Sequence, residues 1–246
     1  GVKVVPVTSW IEDGFALPPV EEIAAKVTPR TKAILICNPG NPTGYVYTDD
    51  ELNAIRSLVL ENDLYLFADE VYREFCYGDI PPRSVLSLEG LEDHVVLMDS
   101  VSKRYSMCGA RVGALVTRNA AVHRACMRFA MARLSPPTLG QIAGEAALKT
   151  PRSYFDEVKS AYVGRRDALV EGLRAIPGVT VPTPGGAFYA VAKLPIDSSD
   201  AFCEWILSNF EREGETVMMA PASGFYATPG AGSDEVRIAY VLEEDA

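Results

Sequence analysis

Histidine is nearly absent, cysteine is sparse and odd in number, and long apolar runs are missing from this chain of 246 residues. With only His94 and His123, an imidazole-based metal site has few ligands to draw on. The five cysteines, at 37, 76, 108, 126 and 203, include no Cys-x-x-Cys pair. That argues against a zinc ribbon or a disulfide framework and for a reducing, cytoplasmic setting. The most apolar stretches, residues 33–37 and 64–68, stop at Asn38 and Asp69, far short of a membrane span. Positive charge is the minority: 23 Lys and Arg against 33 Asp and Glu give a net charge of −10. Such a balance does not suit a general nucleic-acid binder or a partner of anionic membranes. No glycosylation sequon occurs, since Asn41-Pro42-Thr43 carries proline at the forbidden position.

What is present is the composition of an ordinary soluble globular protein, 48% apolar and 23% charged. The length corresponds to between one and two domains. No signal-peptide pattern follows Gly1, and residues 2–7 read at once as a strand, as though the chain begins inside a domain. Short runs rich in β-branched residues then alternate with helix-period segments. Residues 33–37, 64–68, 95–98 and 112–116 read as strands. Thr48-Asp-Asp-Glu51 has the capping-box spacing and precedes Leu52, Ile55 and Val59 on one helical face. Strands alternating with helices predict βαβ units and a mostly parallel sheet. Later, Phe155, Val158, Tyr162, Leu169, Leu173 and Ile176 predict one long amphipathic helix that ends at Pro177-Gly178. A strand at residues 188–191, a helix carrying Phe202, Ile206 and Phe210, and strands near Val217 and Val236 complete a smaller α+β unit. The expected fold class is therefore α/β, a mostly parallel central sheet flanked by helices, plus that smaller C-terminal domain. The boundary falls within the long helix, giving residues 1–160 and 161–246.

Three clusters follow strands and carry chemistry. Asn38-Pro-Gly-Asn-Pro-Thr-Gly44 reads by itself as a turn, yet ligands bind at the carboxyl ends of parallel strands. Asp69-Glu70 ends the next strand, with Tyr72 three residues beyond Asp69. It resembles a magnesium-binding strand of nucleotide hydrolases, but the phosphate loop that reading needs is missing. Asp99-Ser-Val-Ser-Lys103-Arg follows a third strand, with Arg111 eight residues past Lys103. Its Ser100-x-x-Lys103 spacing matches serine β-lactamases, whose further S-D-N and K-T-G elements are lacking.

Taken in order, and with Pro184-Gly-Gly-Ala-Phe-Tyr189 and Val236-Arg-Ile-Ala239 after them, these motifs resemble the class I/II aminotransferases. These are fold-type I enzymes that depend on pyridoxal 5′-phosphate, and the motif set is most similar to the aspartate-aminotransferase-like branch. The resemblance implies that Lys103 forms the Schiff base with the cofactor and later moves the substrate Cα proton. It implies that Asp69 pairs with the pyridine nitrogen, that Asn41 and Tyr72 donate to the ring oxygen, and that Ser100, Ser102 and Arg111 hold the phosphate. Arg237, with Asn41, is implied to clamp the substrate α-carboxylate. The implied partners are an amino acid, aspartate first, and a 2-oxo acid such as 2-oxoglutarate, in a homodimeric whole enzyme. The family's glycine-rich phosphate loop, ring-stacking aromatic and closing helix find no match here, so the chain reads as part of a longer enzyme. A carbon–sulfur lyase would keep the same residues, and so would the aminotransferase-like sensor domain of a transcription regulator.

Overall fold

A computed structural model of the chain describes residues 1–78 and 83–242. In chain order its elements are helix α1 (Val20–Ala24), strand β1 (Ala33–Cys37), α2 (Asp49–Glu61), β2 (Tyr65–Asp69), β3 (Val95–Ser100), the short α3 (Val101–Arg104) and β4 (Gly113–Val116). There follow α4 (Ala120–Arg133), α5 (Thr138–Ala147), α6 (Arg152–Arg174), β5 (Tyr189–Lys193), α7 (Ser199–Asn209), β6 (Ala220–Pro221) and β7 (Glu235–Ala239). Among the described residues no helix is long and apolar enough to cross a membrane.

The first sheet has the order β1-β2-β3-β4. Its first three strands are parallel, with Ala33 opposite Tyr65 and Leu66 opposite Val95, and β4 returns antiparallel on β3. The expected mostly parallel sheet is what forms. Helix α2 covers one face because its apolar residues fall on one stripe: Leu52, Ile55, Leu58 and Val59 are all buried. They meet Ile36, Leu66, Ala68, Val95 and Leu97 from the strands. The capping box forms as the sequence predicts, with Glu51 N–H donating to Thr48 Oγ1 at 3.2 Å and Thr48 N–H donating to Glu51 Oε2 at 2.7 Å. The other Glu51 oxygen accepts from Leu17 N–H and the Tyr45 hydroxyl, so this cap also ties down the loop before the helix.

The second sheet is antiparallel, order β5-β7-β6, and packs against α6 and α7 through Val170, Val181, Ala190, Ala192, Cys203 and Val236. A third cluster of Tyr72, Phe75, Ala187 and Tyr189 joins the two sheets, with Val158 and Tyr162 of α6 against it.

Several expectations are corrected. Residues 2–7 do not form a strand. Among the described residues no main-chain group of residues 1–9 has a hydrogen-bonding partner, and without one an extended segment gains no ladder. The strand expected from residue 112 starts at Gly113, because the Val112 carbonyl instead accepts from Val101 N–H and lies 3.0 Å from Ser100 Oγ. The strand expected near Val217 is the two-residue β6, three positions later. Helices α4 and α5 were not anticipated, and α4 buries none of its residues.

Candidate active site

Because β1, β2 and β3 run parallel, their carboxyl ends share one edge of the sheet. Register places Cys37 beside Asp69 and Asp69 beside Met98. The ladder extends one step past the strands, with Asn38 N–H donating to the Asp69 carbonyl at 2.9 Å and Glu70 N–H to the Met98 carbonyl at 3.0 Å. The three sequence clusters thus emerge side by side, where ligands of parallel sheets are bound.

Glycines bring the second sheet to this edge. Gly186 N–H donates to the Gly44 carbonyl at 2.8 Å, and Ala187 N–H donates to the Phe75 carbonyl at 2.8 Å. A Cβ on Gly186 would stand 2.7 Å from Pro39 Cβ and 2.8 Å from the Phe75 oxygen. Gly44 has φ +68°, and a Cβ there would meet Pro184 at 2.5 Å. Both positions need glycine for the Pro184-Gly-Gly turn to lie on the Asn38–Gly44 loop. The contact delivers Phe188 and Tyr189 to Tyr72.

The side chains form a continuous chain of contacts. Lys103, in α3 just past β3, places Nζ 5.6 Å from the Tyr72 ring centroid and 5.5 Å from that of Phe188. Tyr72 is buried, and its hydroxyl lies 3.1 Å from that of Tyr189. Burial pushes the Tyr72 phenol well above its ordinary value. The Tyr189 ring lies beneath the Arg237 guanidinium at 4.6 Å, with Phe225 on it at 4.9 Å. Arg237 Nη1 in turn donates to Asn41 Oδ1 at 3.1 Å. Lys103, Tyr72, Arg237 and Asn41 are therefore brought together. Asp69 stands at the end of β2 next to them, its Oδ1 accepting from Val71 N–H at 3.1 Å. Ser100 caps α3: its Oγ accepts from Ser102 N–H at 3.0 Å and lies 2.8 Å from Ser102 Oγ. Arg111 is exposed, with φ 54°, and donates to its own neighbour, the Cys108 carbonyl. Among the described residues no side-chain hydrogen bond or ion pair joins it to the other site residues.

Charge pairing separates this group from its surroundings. Behind it, Asp99 pairs with Arg104 at 2.8 Å and Arg73 at 3.3 Å, and Glu74 reaches Arg104 at 3.5 Å. Among the described residues, by contrast, Lys103, Arg111 and Arg237 have no carboxylate within ion-pair distance, and Asp69 has no cation. One amine, two guanidiniums and one carboxylate are left for a ligand. That donor set fits a cofactor with a carbonyl, a phosphate and a protonated ring nitrogen, together with a substrate carboxylate.

A cleft of about 300 Å³ lies between residues 6–9, β1 and residues 225–227. Asn41 lines it, but Lys103, Asp69 and Tyr72 do not. It follows the unpaired edge of β1, so the unpaired charges, rather than the cleft, locate the site. Sequence reasoning assigns no role to Phe188 and Tyr189; the signal that could have found them is the aromatic pair one residue after Gly185-Gly186.

The chain is 34% identical over 237 residues to a probable aspartate/prephenate aminotransferase of Aquifex aeolicus, an alignment covering 95% of the chain and 59% of that protein. It is 32% identical over 255 residues to an aspartate aminotransferase of Bacillus subtilis, covering 62% of it. The crystal structure of an aromatic aminotransferase from Pyrococcus horikoshii superposes with a TM-score of 0.85 at 32% identity, over 98% of this chain and 63% of that one. The chain thus spans about three fifths of the length of these relatives. Its structural neighbours share the fold-type I architecture, and the family description "Aminotransferase class I and II" matches residues 1–245. The chain belongs to the class I and II aminotransferases, a pyridoxal-phosphate-dependent family.

Proposed function

We propose that the whole protein is a transaminase that moves an amino group from an L-amino acid to a 2-oxo acid. The observation that carries this reading is the convergence of unneutralised Lys103, Asp69 and Arg237 on Tyr72 and Asn41 in a chain of this family. Pyridoxal phosphate, when bound, supplies a carbonyl for amine capture and a ring that accepts electron density from the substrate Cα.

Lys103 is the amine for that carbonyl and, once released, the base that takes and returns the Cα proton. Its place over the Tyr72 and Phe188 rings keeps Nζ out of the paired Asp99–Arg104–Glu74 network, free to react. Asp69 holds a proton on the ring nitrogen. Tyr72 and Asn41 donate to the ring oxygen. Ser100, Ser102 and Arg111 hold the phosphate, Arg111 after turning from Cys108. Arg237 takes the substrate α-carboxylate, with Asn41 fixing one face of the guanidinium, and so orients the Cα–H bond.

Aspartate with 2-oxoglutarate is the first substrate pair, supported by the names of the Aquifex and Bacillus relatives. The five free thiols agree with a cytoplasmic location, and a homodimer is the proposed whole enzyme. Residues 1–160 and 161–246 are the proposed domains, hinged within α6.

Borohydride reduction of the full-length protein with added pyridoxal phosphate, followed by peptide mass mapping, tests the reading. A reduced cofactor adduct on Lys103 is expected. An adduct only on other lysines, or none, overturns it.

A further inference from the structure

Tyr189 stands between the two halves of the site without facing either reacting centre directly. Its hydroxyl meets that of Tyr72 at 3.1 Å, and its ring lies beneath the Arg237 guanidinium at 4.6 Å. Both tyrosines are buried, at 4% and 9% exposure, so no water competes freely for the shared hydrogen bond. The rings meet nearly edge to face, at 79°, and Phe188 closes on both. The ionisable groups facing the pair are Lys103, Arg237, Asp69, Cys37 and Tyr162.

We propose that Tyr189 is a positioning residue that couples the Tyr72 phenol to the Arg237 carboxylate clamp. The inference rests on the transaminase reading. Two hydroxyls sharing one hydrogen bond must divide the roles of donor and acceptor. When Tyr189 donates, the Tyr72 oxygen is the acceptor and its own proton points away, toward the ring oxygen that Tyr72 serves. Accepting that bond also polarises Tyr72 and makes it a stronger donor. The Tyr189 ring face meanwhile supports the guanidinium by a cation–π contact, holding it for a carboxylate. Both tasks lie on one side chain, so the Tyr72 hydroxyl and the Arg237 guanidinium are held relative to each other by a single rigid group. No carboxylate of the chain is needed, which leaves the Arg237 charge whole for the substrate.

The two tasks separate by substitution in the full-length protein loaded with pyridoxal phosphate. The first readout is the pH midpoint of the bound cofactor's visible absorption, which reports the proton held between the Lys103 nitrogen and the ring oxygen. A weaker Tyr72 donor leaves more charge on that oxygen, so the proton is held to higher pH. Tyr189→Phe should raise the midpoint by about half a unit, with KM for the amino acid unchanged within about twofold. Tyr189→Leu loses the ring as well, and should add a rise in KM of about fivefold. In Tyr72→Phe, adding Tyr189→Phe should move the midpoint no further, because the hydroxyl acts through Tyr72. An unmoved midpoint in Tyr189→Phe, or an additive shift in the double variant, overturns the proposal while leaving the transaminase reading in place. Absence of any titrating band in the unsubstituted protein overturns both.

Discussion

Helices α2 and α4 are almost equal in length, 13 and 14 residues, yet they sit in the molecule in opposite ways. Both begin on a proper side-chain cap, Thr48 in one and Asn119 in the other. Helix α2 then buries Leu52, Ile55, Leu58 and Val59 against the parallel strands. Helix α4 buries nothing, and Phe129 is 77% exposed. The strands repeat the contrast: β2 and β3 are largely covered, whereas every residue of β4 is exposed and Leu35 on β1 is open at 72%. Caps and propensity permit a helix; burial decides where free energy is stored. The half of the first sheet under α2 is therefore expected to hold most of the chain's stability, and the loops that carry the candidate site leave from its carboxyl edge.

The comparison is tested most strongly on α2. Ile55, 1% exposed, touches both helix and sheet residues of the main core, so Ile55→Ala removes buried methylenes and leaves a cavity. A loss of about 3 kcal/mol is expected from such a site, read as a lower urea midpoint at unchanged slope. A loss below 1 kcal/mol would mean that α2 is not the anchor of the fold.

A smaller effect, with a pH signature, comes from Glu70 on the boundary of that core. Its side chain is buried; one oxygen accepts from Val85 N–H at 2.8 Å, and the other has no partner among the described residues. Burial raises its carboxyl above the ordinary range. Between the unfolded value, about 4.3, and the raised folded value, the folded state binds more protons than the unfolded one. Stability from this group is therefore present at low pH and lost as pH rises through the folded value. Glu70→Gln keeps the acceptor for Val85 and abolishes that slope, with a gain on the order of 1 kcal/mol at neutral pH. Urea titrations of both proteins from pH 4 to 8 check it, and parallel curves would refute it.

The same contrast explains what the sequence disclosed. The buried strands were legible because fully covered parallel strands must be apolar runs, and α2 was legible because its stripe and capping box agree. Residues 2–7 have strand composition, but a strand is made by its partner, which composition does not encode. Helix α4 escaped because an uncovered helix keeps no strict apolar stripe to read, and α5 because the residues it buries, Gly140 and Gly144, are glycines that by composition argue against a helix. In the site, Lys103, Asp69, Tyr72, Asn41 and Arg237 were legible as motif residues. That Asn41 would reach Arg237 across 196 positions, or Tyr189 reach Tyr72 across 117, follows only from the Gly44–Gly186 contact, a long-range event no local pattern announces.

The smallest expected effect is the sharpest test of the uncovered side. Phe129→Ser in α4 exchanges an exposed ring for a polar group with no packed neighbour to lose. In the 246-residue chain the urea midpoint should move by less than about 0.5 kcal/mol equivalent, while binding of an apolar dye falls. Phe129 at 77% exposure is followed along the chain by Met131, Leu134 and Leu139, each more than two-thirds exposed. Measured again in the full-length protein, the same substitution reports whether the Phe129 side of α4 stays open. A cost there approaching that of Ile55→Ala would mean that something beyond these residues buries α4, and the contrast between the two helices would then belong to this chain alone.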